Sequence, residues 1–352
     1  MKKLILINLL GIVICSCFSA QTFDNLSFGT DESLDIGTWN IEWFPKNGNT
    51  TVNYVKEIIP ALDLDILAIQ EIDDTTVFKG MIDELDSFDY ILMDGWFGGL
   101  VYVYNTERIE IEDAFEIYTS SQYWSPLPRS PLVLKFKHLG ETIYAINNHF
   151  KCCGDGYIDL SDNGDEEMRR LEASTLIENY ISESLPNERV IVLGDLNDLI
   201  AEPASSNVFT PFLNAPDEYM FADMELATGP SSGWSYPSWP SHIDHILITN
   251  ELISDFWNTN TVVESLDIAT HMSGGWNSYD SNISDHRPVA MRITPSPVEI
   301  NEILIHSETR KIIGITDLLG RECNYEPGKV LLFRYNDGSV TKRFSSSASQ
   351  IE

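Results

Sequence analysis

The sequence is short of cysteine, short of basic residues and free of long apolar runs, and each shortage excludes a class of protein. Five cysteines in 352 residues, two of them (Cys15 and Cys17) near the start, cannot form a disulfide framework. Lys and Arg total 22 against 54 Asp and Glu, a net charge of −32. That argues against a broad basic face for holding nucleic acid or an anionic membrane. If the substrate is an anion, something else must neutralise it, and a divalent cation is the obvious candidate. No run approaches the roughly 18 apolar residues of a spanning helix, and no internal repeat indicates a solenoid. What is present is ample core material, 43% hydrophobic and 11% aromatic residues, which excludes wholesale disorder.

The acidity is localised. Residues 308–352 hold seven basic and six acidic residues, and the leader adds Lys2 and Lys3, so residues 21–307 keep 13 basic and 48 acidic residues, net −35. The N-terminus, MKKLILINLLGIVICSCFSAQ, places two lysines before an apolar run and small residues after it. It reads as a signal peptide cleaved after Ala20, with lipoprotein-type acylation of Cys17 as the alternative. The protein is therefore expected to be secreted or at the cell surface. Of the three remaining cysteines, adjacent Cys152 and Cys153 could be a vicinal disulfide or two free thiols. A zinc site is not expected there, because no second ligand pair has suitable spacing.

At the other end, Thr294-Pro295-Ser296-Pro297 closes the last apolar strand and opens a linker. Beyond it, Asp337-Gly338 between two alternating runs is a hairpin signal. The runs ITDLLGRE and DGSVTK resemble the C-terminal sorting tails of Bacteroidetes proteins exported by the type IX pathway, and would imply that secretion machinery as a partner. The serine-rich end, Ser345 to Glu352, departs from that pattern.

Between these ends, strands are expected at Ile36–Phe44, Ile66–Ile72, Tyr90–Met93, Leu100–Tyr104, Leu132–Phe136, Thr142–Asn147, Val190–Leu193, Ile243–Thr249 and Val289–Ile293. Helices are expected at Val52–Ile59, stopped by Pro60, at Thr76–Leu85 and at Glu166–Leu185. In the last, Met168, Leu171, Leu176, Ile177 and Tyr180 form the apolar face, while Glu167, Arg170, Glu172 and Glu178 face water. The mixture indicates an α/β body with a partly antiparallel sheet.

Four of the strands end on reactive groups: Asn40 in GTWN, Glu71 in LAIQE, His149 in INNH, and Asp195 with Asn197 in VLGDLN. Two clusters instead precede an apolar run: Asp244 in DHILI and Ser284-Asp285-His286 before Pro288. Ligand sites of α/β proteins collect at such strand ends. If all six clusters share a cleft, the last two strands run antiparallel to the first four. Singly, each motif has a bland explanation as a turn or a cap; together, in this order, they do not.

The ordered set W-N, Q-E, N-x-H, G-D-x-N, I-D-x-I and S-D-H resembles the endonuclease/exonuclease/phosphatase superfamily over roughly residues 34–295. The resemblance implies an α/β four-layer sandwich: two mixed β-sheets packed face to face, flanked by helices, with the tail as a small added β-unit. It divides the chain into a leader (1–20), a catalytic domain (21–295), a linker (296–307) and a tail (308–352). It also implies a divalent metal, Mg2+ or Mn2+, on Glu71 with Asn40 and Asp285. His286, partnered by Asp244, would activate water or a protonated phosphate. Asp195 and Asn197 would place the water and hold a phosphate oxygen. His149 would donate to the phosphate or protonate the leaving oxygen, and Arg129, in RSP before a strand, would bind phosphate.

The expected activity is a monomeric metal-dependent nuclease acting on DNA or RNA, because histidine at 149 resembles the deoxyribonuclease I-like members. The alternatives are a phospholipid (sphingomyelinase-like) phosphodiesterase or phosphatase, and a non-catalytic binding protein on the same fold. The segment SGWSYPSWP, with Trp234, Tyr236 and Trp239 exposed if it is a loop, could dock a membrane or stack bases. The acidic loop GDGYIDLSDNGDEE (154–167) is a solvated loop on the bland reading and a structural Ca2+ site on the sharper one.

Overall fold

The computed structural model describes residues 23, 25–93, 99–258, 260–295, 312–317, 319–324, 329–335 and 340–344. The leader with Cys17, the linker 296–307, the Asp337-Gly338 turn and the end 345–352 lie outside them. The chain divides into two compact units, Met1–Pro297 and Val298–Glu352.

In the first unit twelve strands form two six-stranded sheets. They are β1 (Leu34–Phe44), β2 (Ile66–Ile72), β3 (Phe88–Leu92), β4 (Gly99–Asn105), β5 (Glu110–Glu116), β6 (Leu132–His138), β7 (Glu141–His149), β8 (Val190–Asp195), β9 (Tyr219–Phe221), β10 (Asp244–Thr249), β11 (Val262–Ser265) and β12 (Val289–Ile293). The first sheet runs β11-β12-β1-β2-β4-β3 and the second β5-β6-β7-β8-β10-β9. Their inner faces share one apolar layer, in which Ile36, Ile66, Ala68 and Met291 meet Leu134, Ala145, Ile191 and Ile246. Helices α1 (Asn49–Leu62) and α2 (Thr75–Ile82) cover the outer face of the first sheet, and α3 (Glu166–Ser184) covers the second. Helix, sheet, sheet, helix is the four-layer sandwich expected.

Within each sheet the central strands set up the site. β1 and β2 are parallel, as are β7 and β8. β12 runs antiparallel to β1, and β10 runs antiparallel to β8. The C-terminal ends of four strands therefore meet the N-terminal ends of two, as the motif order required. A polar pin joins the sheets below that edge. Asn147, fully buried, accepts from Gln70 Nε2 (2.8 Å) and donates to the carbonyls of Ile69 (3.2 Å) and Val101 (3.0 Å). Buried amides that satisfy both ends in this way fix one register of sheet against sheet.

Several local expectations change. Pro60 does not stop α1. It lies in the last turn, where few i→i−4 bonds remain to be lost, and the helix ends at Asp63 in the left-handed conformation. α2 starts at Thr75 because the Asp74 carboxylate accepts from Thr76 N and Val77 N. In α3, Glu167 and Arg170 do not face water; each is only 2% exposed. Arg170 Nε donates to Asp198 Oδ2 at 2.8 Å, and its Nη2 lies 3.3 Å from Glu167 Oε1, so the charges are buried as a network.

The second unit is a three-stranded antiparallel sheet of β13 (Ile312–Thr316), β14 (Val330–Tyr335) and β15 (Val340–Phe344). Leu331, Phe333 and Tyr335 form its small core. Among the described residues no helix is long and apolar enough to cross a membrane.

Candidate active site

Alternation along each strand decides which side chain reaches the shared edge. β1 and β2 are buried over most of their length, and their polar ends, Asn40 and Glu71, emerge together. Asn40 Nδ2 donates to Glu71 Oε1 (3.2 Å) and Asp195 Oδ2 (2.9 Å), and its Oδ1 accepts from Glu42 N (2.9 Å). Asn40 thus turns its amide nitrogen to two carboxylates and holds them in place. Glu71 adopts φ of 65° and also accepts from Trp43 N at 3.1 Å. Glu42, Trp43 and Asn197 share this left-handed conformation, at 40°, 49° and 56°. Such backbone concentrates where a site over-determines its geometry.

In the second sheet, registration does the same work. Asp195 pairs across with His149 on one side and Asp244 on the other. Gly194, before Asp195, has φ of 146°, and a Cβ there would run into the Asn148 carbonyl. Only glycine lets β8 approach β7 this closely. His149 Nε2 sits 3.5 Å from Asp195 Oδ2 and 3.7 Å from Glu71 Oε1. Asp195 Oδ1 accepts from Asn197 N at 3.1 Å, and Asn197 Nδ2 donates to Phe150 O at 3.3 Å.

The Ser284-Asp285-His286 turn is docked between the sheets. Ser284 Oγ donates to Asn40 O (2.6 Å) and accepts from His286 N (2.9 Å). His286 O accepts from Tyr279 Oη at 2.6 Å and from Trp39 Nε1 at 3.3 Å. His286 Nδ1 is 2.8 Å from Asp244 Oδ2, while Nε2 lies 3.9 Å from both Asp195 Oδ2 and Asp285 Oδ1. Asp244 is fully buried and its Oδ1 has no hydrogen-bond partner.

These contacts set the charges. Burial opposes a positive His286, but Asp244, then Asp195, outweigh it and raise its pKa to about 10. It is therefore an imidazolium at neutral pH. Burial, with the positive charges of Arg129 and His286, holds His149 well below the ordinary range, so this ring is neutral. Burial pushes the Asp195 carboxyl up to about 7, Asp244 and Glu71 add to it, and His286 and Asn40 oppose it. Two histidines and a carboxyl within a few ångströms are thus driven apart in protonation, the pattern of groups poised for acid–base work.

The site opens into a cleft of ≈ 520 Å³ lined by Glu71, His149, Asp195, Asn197, Asp285 and His286, among others. Asn40 and Asp244 stand behind these residues. Arg129 does not line the cleft; Glu71 and Asp195 raise its pKa against the larger lowering by burial.

Several lining residues carry no signal in the motif pattern. Burial, then the Asp285 charge, raise Glu42 to about 7, against its Lys46 partner. The Tyr236 ring lies 4.8 Å from the His286 ring, tilted by 46°, and burial, then the Asp285 charge, raise its hydroxyl to about 12. Of the three aromatics in SGWSYPSWP only Trp239 is exposed, at 78%. Trp234 Nε1 is tied to Leu226 O at 3.1 Å, and Tyr236 is turned onto His286, so the expected exposed triad does not form. Trp234 is drawn inward because its polar end finds a partner there. In the acidic loop, ligand atoms of Asp155, Asp165 and Glu167 come within 4.8 Å of one another.

The donor set around Glu71 and Asp195 fits a hard divalent cation. Its groups are carboxylates, and Asp195 is held partly protonated by burial and by its neighbours' charge, a cost that a cation would relieve. Asp195, Asp244 and His286 also form one of three candidate metal-holding groups among the described residues.

The sequence pattern described as "Endonuclease/Exonuclease/phosphatase family" matches residues 37–286. No curated protein matches significantly. Among solved structures, TDP2 of D. rerio complexed with a single-strand DNA product is similar at a TM-score of 0.55 and 12% identity, over 75% of this chain and 99% of that one. An endonuclease/exonuclease/phosphatase from Bacteroides vulgatus gives 0.54 and 17% over 75% and 99%. A mannosyl-6-phosphatase of Bacteroides thetaiotaomicron gives 0.51 and 17% over 74% and 99%. At these identities the likeness shows the fold.

Proposed function

Because the chain belongs to the endonuclease/exonuclease/phosphatase family, we propose that it is a divalent-metal-dependent phosphodiesterase that cleaves DNA or RNA. One observation carries the reading. Five separate segments bring Glu71, His149, Asp195 and the Asp244–His286 pair around one point, with His149 Nε2 3.5 Å from Asp195 and 3.7 Å from Glu71.

Phosphodiester hydrolysis needs charge neutralisation at the phosphoryl oxygens, an oriented water and help for the leaving oxygen. Glu71 and Asp285 would hold Mg2+ or Mn2+, with Asn40 orienting Glu71, and the bound ion would supply Lewis-acid charge neutralisation at the phosphate. His286, kept cationic by Asp244, binds a non-bridging oxygen and stabilises the charge that builds on it. This departs from a general base at that position, since a group titrating near 10 is already protonated. Asp195, whose carboxyl burial raises and a cation beside it would lower again, is then the carboxylate that takes a proton from water. Asn197 holds the water or a phosphate oxygen. His149, neutral, donates a hydrogen bond to the phosphate and does not protonate the leaving group. Arg129 adds positive potential from outside the cleft.

Nucleic acid is favoured over phospholipid because the membrane-docking aromatic triad is absent, while Trp43 and Trp239 stand on the cleft wall, exposed 47% and 78%. Exposed indoles suit base stacking. The D. rerio TDP2 complex holds single-strand DNA in the same fold. We further propose export by the leader 1–20, with the three-stranded tail unit as a sorting signal, and Ca2+ held by Asp155, Asp165 and Glu167.

The test is a substrate panel with Mg2+: single-stranded DNA, RNA, sphingomyelin vesicles, a hexose 6-phosphate and a simple aryl phosphodiester. Cleavage of the nucleic acids well above the others supports the reading. Preference for sphingomyelin or for the sugar phosphate overturns the substrate assignment, and no turnover of any arm overturns the enzyme.

A further inference from the structure

The cleft wall beside His149 is made by two adjacent cysteines. Cys152 and Cys153 are exposed free thiols, and both line the same cleft as Glu71 and Asp195. Their sulfurs are 3.0 Å apart. The dipeptide is anchored from beneath: Arg170 Nη1 donates to Lys151 O and Cys153 O, each at 2.7 Å, while its Nε is held by Asp198. Cys153 has φ of 73°, a turn that folds the second sulfur back onto the first. Lys151 Nζ lies 3.6 Å from Cys152 Sγ. The thiols are therefore close, accessible and held on a rigid base, and no step of the hydrolysis uses them.

We propose that Cys152 and Cys153 are a reversible dithiol–disulfide site on the cleft wall, oxidised by small-molecule disulfides. The Cys152 thiolate attacks one sulfur of an external disulfide, forming a mixed disulfide and releasing one thiol. The Cys153 thiolate then attacks Cys152 Sγ, forms the vicinal bond and releases the second thiol. Two protein thiols are oxidised, one external disulfide is reduced, and both protons leave on the released thiols. Cys153 Sγ, 3.0 Å from Cys152 Sγ, is placed to act as the resolving group. Adjacent Cα atoms are about 3.8 Å apart, below the usual disulfide range, so the product ring is strained and readily reduced. That suits a switch rather than a staple. Closing the ring turns the Cys152–Cys153 peptide against the Arg170 anchor and reshapes the wall that substrate passes. This consequence for turnover, unlike the thiol chemistry, rests on the proposed hydrolase activity.

The test uses the full chain, oxidised glutathione, alkylation and peptide mapping. We expect the peptide holding both cysteines to lose two hydrogens and resist alkylation until dithiothreitol is added. Cys153→Ser should instead stop at the mixed disulfide on Cys152. With an aryl phosphodiester, oxidation should change KM several-fold in wild type and leave the kinetics of a Cys152→Ser/Cys153→Ser double variant unchanged. Two alkylatable thiols after oxidation, or two mixed disulfides, would overturn the site. A vicinal bond with unaltered KM would overturn its influence on the cleft. Absence of turnover in the reduced protein would count against the hydrolase, while the mapping would still decide the thiol chemistry.

Discussion

Asp244→Asn isolates what the buried carboxylate does. The substitution keeps size and leaves the backbone pairing of β10 with β8 in place, but removes a charge 2.8 Å from His286 Nδ1. Breaking a buried ion pair costs roughly 3–5 kcal/mol. At 1.36 kcal/mol per unit this is roughly 2–4 pKa units, so the titration of His286 should descend from about 10 to roughly 6–8. If catalysis needs the imidazolium, wild-type kcat/KM stays flat through neutral pH and falls only on the alkaline side. In the variant the fall begins near or below neutrality. At pH 8 a titration at roughly 6–8 leaves about 1–50% of the rings charged, so the loss is about 2- to 100-fold. The assay is the pH–rate profile of an aryl phosphodiester with saturating Mg2+, with melting temperature as a control for folding. An alkaline limb at the same pH in both proteins would refute the claim that Asp244 keeps His286 charged. A variant as active as wild type at every pH would remove the pair from the mechanism.

Three further outcomes follow from the same structure. Arg170→Met leaves Glu167 and Asp198 without their shared cation, so the body should lose about 3–5 kcal/mol and melt roughly 6–20 °C lower by calorimetry. Both ring nitrogens of His245 face acceptors, Asp223 Oδ2 at 2.6 Å and Asp198 O at 2.8 Å, so it is an imidazolium whose pKa is raised by Asp223 against burial. A raised histidine contributes stability fully below its unfolded value of about 6.5 and loses it as pH climbs through the folded value. The melting-temperature gap between wild type and His245→Asn should therefore narrow as pH rises above 7. Ca2+ should raise the melting temperature, and a chain trimmed between residues 155 and 165 should lose that response; no shift with Ca2+ in the intact chain removes the site.

Much of the site was legible because its groups sit where buried runs end. A strand such as Val190–Asp195 can be recognised by its apolar residues, and the polar residue that follows it must lie at the sheet's edge. Antiparallel entry of β10 and β12 followed from the reversed order of polar and apolar residues in DHILI and SDHRPV. What escaped had other causes. β5, EIEDAFE, is an edge strand whose acidic residues are held by Lys135 and Lys137 of β6, a cross-strand pairing with no local signature. Glu167 and Arg170 were placed in water because helical periodicity counts charge as exposed. Their burial depends on Asp198 and on two backbone carbonyls, which only the tertiary fold supplies. Tyr236 and Glu42 joined the site for the same reason: their partners, His286 and Asp285, are about 50 and 240 residues away in sequence. The charge of −32 looked hostile to a polyanion, yet several of those carboxylates gather at one cleft, where the proposed cation would bind.

The central claim is that this cleft hydrolyses phosphodiesters with a divalent metal and the His286 imidazolium. The most direct measurement is the rate of bis(p-nitrophenyl) phosphate hydrolysis by the full chain in Mg2+ or Mn2+, in chelator, and after metal is restored, with Glu71→Gln and His286→Ala run alongside. The account predicts turnover that vanishes in chelator, returns with metal, and falls by several orders of magnitude in both variants while both stay folded by circular dichroism, His286→Ala melting lower because Asp244 is left buried without its partner. A wild-type rate that is indifferent to chelator, or His286→Ala turnover near wild type, would contradict it.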